Sequence, residues 1–220
     1  CLKVQYPGVA DAIDSDLNSV LRLLTLTNFI KRDADVDTWL AEIRRLLHEE
    51  VDYLLEAEKT ERFYALLKGH PILRVPKVYS QYTSKRLLVT SFEEGIAVSD
   101  VAAAEFSQAQ RNLLGKTFLQ LFLQEVFEWG TLQTDPNFGN YRIRKNAKGK
   151  PELVLLDFGS VMDYPASFLR PLQQVMMGAY RNDMPLLRQA TIDLGVMKNE
   201  FPESVHKDFA ALCCLLLEPF

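Results

Sequence analysis

The chain has 220 residues, 48% of them hydrophobic, which is enough for one large domain or two lobes around a sizeable core. A formal net charge of −4 gives no overall basic field for nucleic acid, which is set aside as a partner. Cys1, Cys213 and Cys214 write no disulfide framework or CxxC site, and His48, His70 and His206 lack ligand-spaced partners, so a reducing compartment is expected and a zinc centre is not.

Leu2 to Gln5 alternates as a strand, so the chain opens in mid-strand without an initiator Met or leader and is read as a fragment. After the Tyr6-Pro7-Gly8 turn, a helix is expected from about Ala10 to Ile30 and a second, charged one from about Val36 to Leu67. In the second, Leu40, Ile43, Leu47, Val51, Leu54 and Leu55 fall near one stripe, and both helices are expected to pack on a sheet. Arg74 to Tyr79 and Leu87 to Ser91 read as a pair of antiparallel strands. Gly95 loosens the chain, and a lobe boundary is placed near Glu94 to Val98.

From Val98 onward the pattern is helical, through Ala102 to Phe106 and then Gln108 to Trp129. The richest apolar stretch, Leu113 to Trp129, carries Lys116, Gln120, Gln124, Glu125 and Glu128 and reads as a core helix rather than a membrane span. One β-interlude follows: Tyr141 to Arg144, a turn at Lys145 to Lys150, and Leu153 to Leu156. Such a hairpin brings Asn140 beside Asp157. Helices at about Ala166 to Arg181, Met184 to Leu194 and Glu203 to Leu217 complete the chain.

The strongest local signal is Gln133-Thr134-Asp135-Pro136-Asn137-Phe138-Gly139-Asn140 with Asp157-Phe158-Gly159 after the hairpin. Kinase-type phosphoryl transfer needs a carboxylate facing the attacking hydroxyl, and an amide oxygen with a second carboxylate on the magnesium that bridges the phosphates. Asp135 and Asn140 have the D-x-x-x-x-N spacing, which is weak alone and specific when a hairpin joins it to Asp-Phe-Gly. The bland alternative makes Asp135, Asn137 and Asp157 turn and helix caps. Lys3, inside an apolar strand, needs a partner to offset desolvation unless it sits at an exposed edge, and Glu56 is the natural candidate. In a continuous helix Asp52 and Glu56 share a face while Glu50 points elsewhere; taken alone, Glu50 and Asp52 are solvated charges.

Together, KVQYPGV at 3 to 9, SDLNSV at 15 to 20, EVDYLLEAEKTERF at 50 to 63, RVPKVY at 74 to 79, QTDPNFGN at 133 to 140 and LLDFG at 155 to 159 resemble the UbiB/Coq atypical kinases associated with ubiquinone biosynthesis, over nearly the whole chain and in the family order. The resemblance implies an α+β, protein-kinase-like two-lobed fold, with an N-lobe over 1–95 and a mostly helical C-lobe over 96–220. It implies a fold that takes ATP and magnesium, with Lys3, Glu56, Ser91 and Phe92 at the nucleotide, Asp135 as the catalytic acid and Asn140 and Asp157 on the metal. Glu50 and Asp52 match the family's E-x-D motif. The K-x-G-Q segment that this motif faces, and the alanine-rich loop, would lie upstream of Lys3, so these 220 residues alone are expected to bind nucleotide weakly or not at all. The extra helix after Lys3 belongs to the family, and the short run from Gly159 to Ala166, without A-P-E, disfavours protein phosphorylation in trans.

The implied activity is an atypical kinase or ATPase supporting isoprenoid quinone synthesis. The alternative is a nucleotide-gated scaffold or lipid-handling module, and a small-metabolite phosphotransferase is disfavoured because such enzymes lack KVQYPGV and EVDYLLEA. Quinone-precursor lipids and quinone-biosynthesis enzymes are the implied partners. Peripheral membrane contact through Leu21 to Ile30 and Ala210 to Leu217 competes with their reading as core. A bacterial cytoplasm, associated with the inner membrane, is the expected location, and the matrix side of the mitochondrial inner membrane is the alternative.

Overall fold

The structure, a computed structural model, describes residues 1–26, 34–100 and 106–218. Strand β1 (Leu2–Val4) alternates as its sequence requires: Leu2 and Val4 are exposed, and Lys3 turns to the opposite, half-buried face. Helix α1 (Val9–Leu26) follows, with residues 27–30 of the expected helix outside the described residues.

The single helix expected over 36–67 is two helices, α2 (Ala34–Glu50) and α3 (Tyr53–Leu66). Asp52 breaks the run. Its backbone is extended, at φ −97° and ψ 96°, and its carboxylate accepts from the amides of Leu54 and Leu55, so capping a new helix wins over continuing the old one. The expected apolar stripe breaks with it: Leu47 and Leu54 are exposed, and α3 buries Tyr53, Glu56, Ala57, Thr60 and Phe63 instead. Tyr53 and Ala57 join Val78 and Leu88 in an apolar cluster.

The antiparallel pair expected from 74–79 and 87–91 shrinks to one bridge, Val78 to Thr90. Pro76 carries no N–H to extend a ladder there. Strand β2 (Leu73–Arg74) instead runs parallel to β7 (Pro151–Leu155), and β3 (Leu87–Val89) pairs antiparallel with β1, setting Lys3 opposite Leu88. The expected hairpin is present as β6 (Tyr141–Lys145) against β7, with β4 (Ile96–Ala97) on its other edge. The expected helical stretch at 102–106 lies outside the described residues except for Phe106.

Helix α4 (Gln108–Gln124) ends in a π-helical turn, Glu125–Trp129, which Gly130 closes in the left-handed region at φ 65°. Strands β5 (Thr131–Gln133) and β8 (Val161–Asp163) pair, and a Thr131 hydroxyl bonds Asp163. Helices α5 (Ala166–Arg181), α6 (Met184–Asp193) and α7 (Glu203–Leu217) close the chain around Ala179, Leu187 and Cys213. By packing, the chain divides into one compact unit of Cys1–Leu114 with Thr134–Val161 and a second of Gly115–Gln133 with Met162–Phe220. These units differ from lobes divided near residue 95, and that division stays a proposal. Among the described residues no helix is long and apolar enough to cross a membrane.

Candidate active site

Helix α3 brings much of the site together because Glu56, Lys59 and Phe63 recur on one face at helical spacing. Glu56 is 2% exposed, and both of its oxygens accept from Lys3 Nζ at 2.8 Å. The same ammonium reaches Asp157 Oδ2 at 3.1 Å and lies 5.3 Å from the centre of the Tyr53 ring. Burial works to lower the Lys3 pKa, and the attraction and hydrogen bonds of Glu56, then of Asp157, outweigh it and hold it above the usual lysine value. Burial likewise pushes the Glu56 carboxyl up, and the pull of Lys3 offsets this only in part, so the carboxyl stays above its usual range.

The Asp-Phe-Gly turn is held from several sides. Phe158 is fully buried against Phe63, with ring centres 4.9 Å apart, and Lys59 Nζ donates to the Gly159 carbonyl at 2.9 Å. Gly159 N–H returns a bond to Asp157 Oδ1 at 2.9 Å. Glu50 Oε2 accepts from Ser160 Oγ at 2.8 Å. Glu50 and Asp52 therefore do different things: Glu50 meets the turn after Asp157, and Asp52 caps α3 with Lys85 Nζ at 3.8 Å. Placing Asp52 and Glu56 on one helical face does not hold, because the helix is interrupted between Glu50 and Tyr53.

Asn140 Nδ2 donates to Asp135 Oδ2 at 3.1 Å and to its carbonyl at 3.4 Å, which turns the amide oxygen away from Asp135. The Asn140 carbonyl accepts from Leu156 N at 2.9 Å, the hairpin contact that sets Asn140 beside Asp157. A cavity of about 500 Å³ is lined by Lys3, Glu56, Ser91, Phe92, Asn140 and Asp157 among others. All six are sequence-identified site residues, and Asp135 adjoins the cavity through Asn140. Ser91 Oγ accepts from Lys77 N and donates to Glu93, and Glu93 in turn pairs with Arg144 at 2.9 Å. Every one of these residues falls within the first compact unit.

The sequence profile of the ABC1 atypical kinase-like domain matches residues 1–191. This chain belongs to the ABC1 atypical kinase-like family. Among its relatives, the mitochondrial atypical kinase coq-8 of Caenorhabditis elegans is 33% identical over 208 residues, covering 94% of this chain and 27% of that protein. The mitochondrial atypical kinase COQ8 of Saccharomyces cerevisiae is 31% identical over 219 residues, covering 100% of this chain and 43% of that protein. The chain thus spans less than half the length of these curated relatives. A solved complex of Rv3197 with erythromycin, from Mycobacterium tuberculosis, superposes with a TM-score of 0.76 at 24% identity, over 99% of this chain and 54% of that one. The α+β kinase-like fold is the one expected.

In this ABC1 domain several contacting residues escaped sequence reasoning. Tyr53 and Lys59 flank Glu56 at helical spacing, a signal that was present but unspecific. Ser160 follows Asp-Phe-Gly without any mark of its own. Arg142 also lines the cavity, and its place on the Asn140 side of an alternating strand was the available clue.

Proposed function

We propose that the domain binds Mg-ATP in the cavity between Lys3 and the Ser91–Phe92 segment and acts as an atypical kinase or ATPase in isoprenoid quinone synthesis. The observation that carries this reading is the Lys3 ammonium held at once by Glu56 and Asp157 in a cavity that Asn140 also lines. In kinases the corresponding lysine–glutamate pair must be in place before phosphates are held productively. Lys3 would take phosphate oxygens, Glu56 would keep its ammonium aimed, and Ser91 and Phe92 would face the nucleoside. Asp135 would accept the proton of an attacking hydroxyl, or orient a water, while tethering Asn140.

Asn140 and Asp157 supply hard oxygen donors of the kind magnesium takes. Among the described residues no group of three or more His, Cys, Asp or Glu gathers as a metal cage, which suits an ion that draws its other ligands from phosphate and water. When bound, magnesium would neutralise the charge that develops on the transferred phosphoryl group.

The quinone pathway rests on the family resemblance, and the mitochondrial names of the worm and yeast relatives favour the mitochondrial alternative for location. Quinone-precursor lipids, pathway enzymes and peripheral membrane contact belong to the same proposal. The test is Asp157→Asn in the full-length protein. Magnesium-dependent ATP turnover should be abolished, and unchanged turnover would remove the assignment.

A further inference from the structure

Among the described residues, Lys3 and Arg142 are the basic side chains that line the cavity, and their surroundings differ. Lys3 lies between two carboxylates, so the Glu56–Lys3–Asp157 group carries a net negative charge into the space where phosphates would enter. Arg142 is half-buried and, among the described residues, bonded to backbone only: its Nη1 donates to the carbonyls of Gly139 at 3.1 Å and Tyr141 at 2.9 Å, on either side of Asn140. Among the described residues no carboxylate lies within ion-pair distance of it. Its neighbour on the same strand face, Arg144, is by contrast neutralised by Glu93 and Glu152.

A guanidinium in a partly enclosed site without a counter-ion keeps an unmet demand for an anion. Both carbonyls engage Nη1, so Nη2 and Nε remain as donors in the fork geometry that matches phosphate oxygens. Gly95 runs close over the base of this side chain, where an added Cβ would stand 2.8 Å from Arg142 Cβ, and the guanidinium lies back along residues 139–141 toward Asn140.

We infer that Arg142 is a phosphate-binding residue, a second cation that offsets the negative Glu56–Lys3–Asp157 group and selects ligands by their phosphates. The inference rests on the nucleotide reading of the cavity. Calorimetric titration of the full-length protein with ATP, ADP and adenosine in magnesium tests it, comparing wild type with Arg142→Gln and Arg142→Lys. Glutamine keeps an N–H for the Gly139 and Tyr141 carbonyls and drops the charge. It should weaken ATP and ADP by about ten- to a hundredfold, the worth of a charge-assisted bond, and leave adenosine within about twofold. Lysine should fall between. Equal weakening of adenosine and ATP, or unchanged ATP affinity, overturns the assignment of Arg142 alone. A wild type that binds adenosine and the nucleotides equally poorly overturns the nucleotide reading with it.

Discussion

Replacing Lys3 by methionine tests the centre of the site. Glu56 is 2% exposed, its oxygens both accept from Lys3, and the variant leaves that carboxylate buried without its ammonium. Removing one partner of a fully buried pair costs about 3–5 kcal/mol. The Lys3 side chain is 37% exposed, so water can reach the gap, and we expect about 2–3 kcal/mol after that discount. Glu56 would answer by holding a proton more tightly than it does now. A carboxyl whose folded pKa lies above its unfolded value contributes stability at low pH and loses it as pH rises from the unfolded value through the folded one. The deficit of Lys3→Met relative to wild type should therefore be small near pH 4 and full at pH 8. Adding Glu56→Leu should recover much of it, because the fully buried carboxylate is then gone and Asp157, with 30% of its side chain exposed, can turn to water. Urea unfolding of the three proteins at both pH values measures this. A deficit under about 0.5 kcal/mol at pH 8, or a double variant no more stable than Lys3→Met, would refute the buried ion pair.

Two further outcomes follow from single residues. Burial pushes the Glu125 carboxyl up to about 7, against the pull of the Gln133 N–H at 3.2 Å. Wild type should then lose about 3 kcal/mol of stability between pH 4.5 and 7 through this group, and Glu125→Gln should escape that loss and lead at pH 8; parallel pH profiles in urea unfolding would contradict it. At Gly159 an added Cβ would stand 2.9 Å from Glu50 Oε1, the end of a side chain able to swing away. Gly159→Ala should cost less than about 1 kcal/mol while releasing Glu50 from Ser160, read as faster amide exchange across residues 157–160; unchanged exchange would show that the clasp survives.

Much of the fold was legible where the signal is local. Helix α5 and helix α7 occupy the spans that their apolar period marks, and the β6–β7 hairpin forms around the Lys/Gly-rich turn. Reading failed where two local signals compete or where a partner is distant. The apolar stripe ran straight through Asp52, which caps a new helix instead. Strand character was visible at residues 87–89, but pairing to β1 rather than to the neighbouring 74–79 run depends on a segment far away in the chain.

By themselves the residues determined the chemistry on offer: a lysine in an alternating strand, acids and an asparagine at phosphoryl-transfer spacing, and helices with clear periods. Only tertiary structure decided that one face of α3 meets Lys3, Gly159 and Phe158 through Glu56, Lys59 and Phe63, and that Arg142 stands in the cavity with no carboxylate paired to it among the described residues. Alternation and helical period state which face a side chain takes. They carry no record of which element covers that face, because that is chosen by packing across the whole chain.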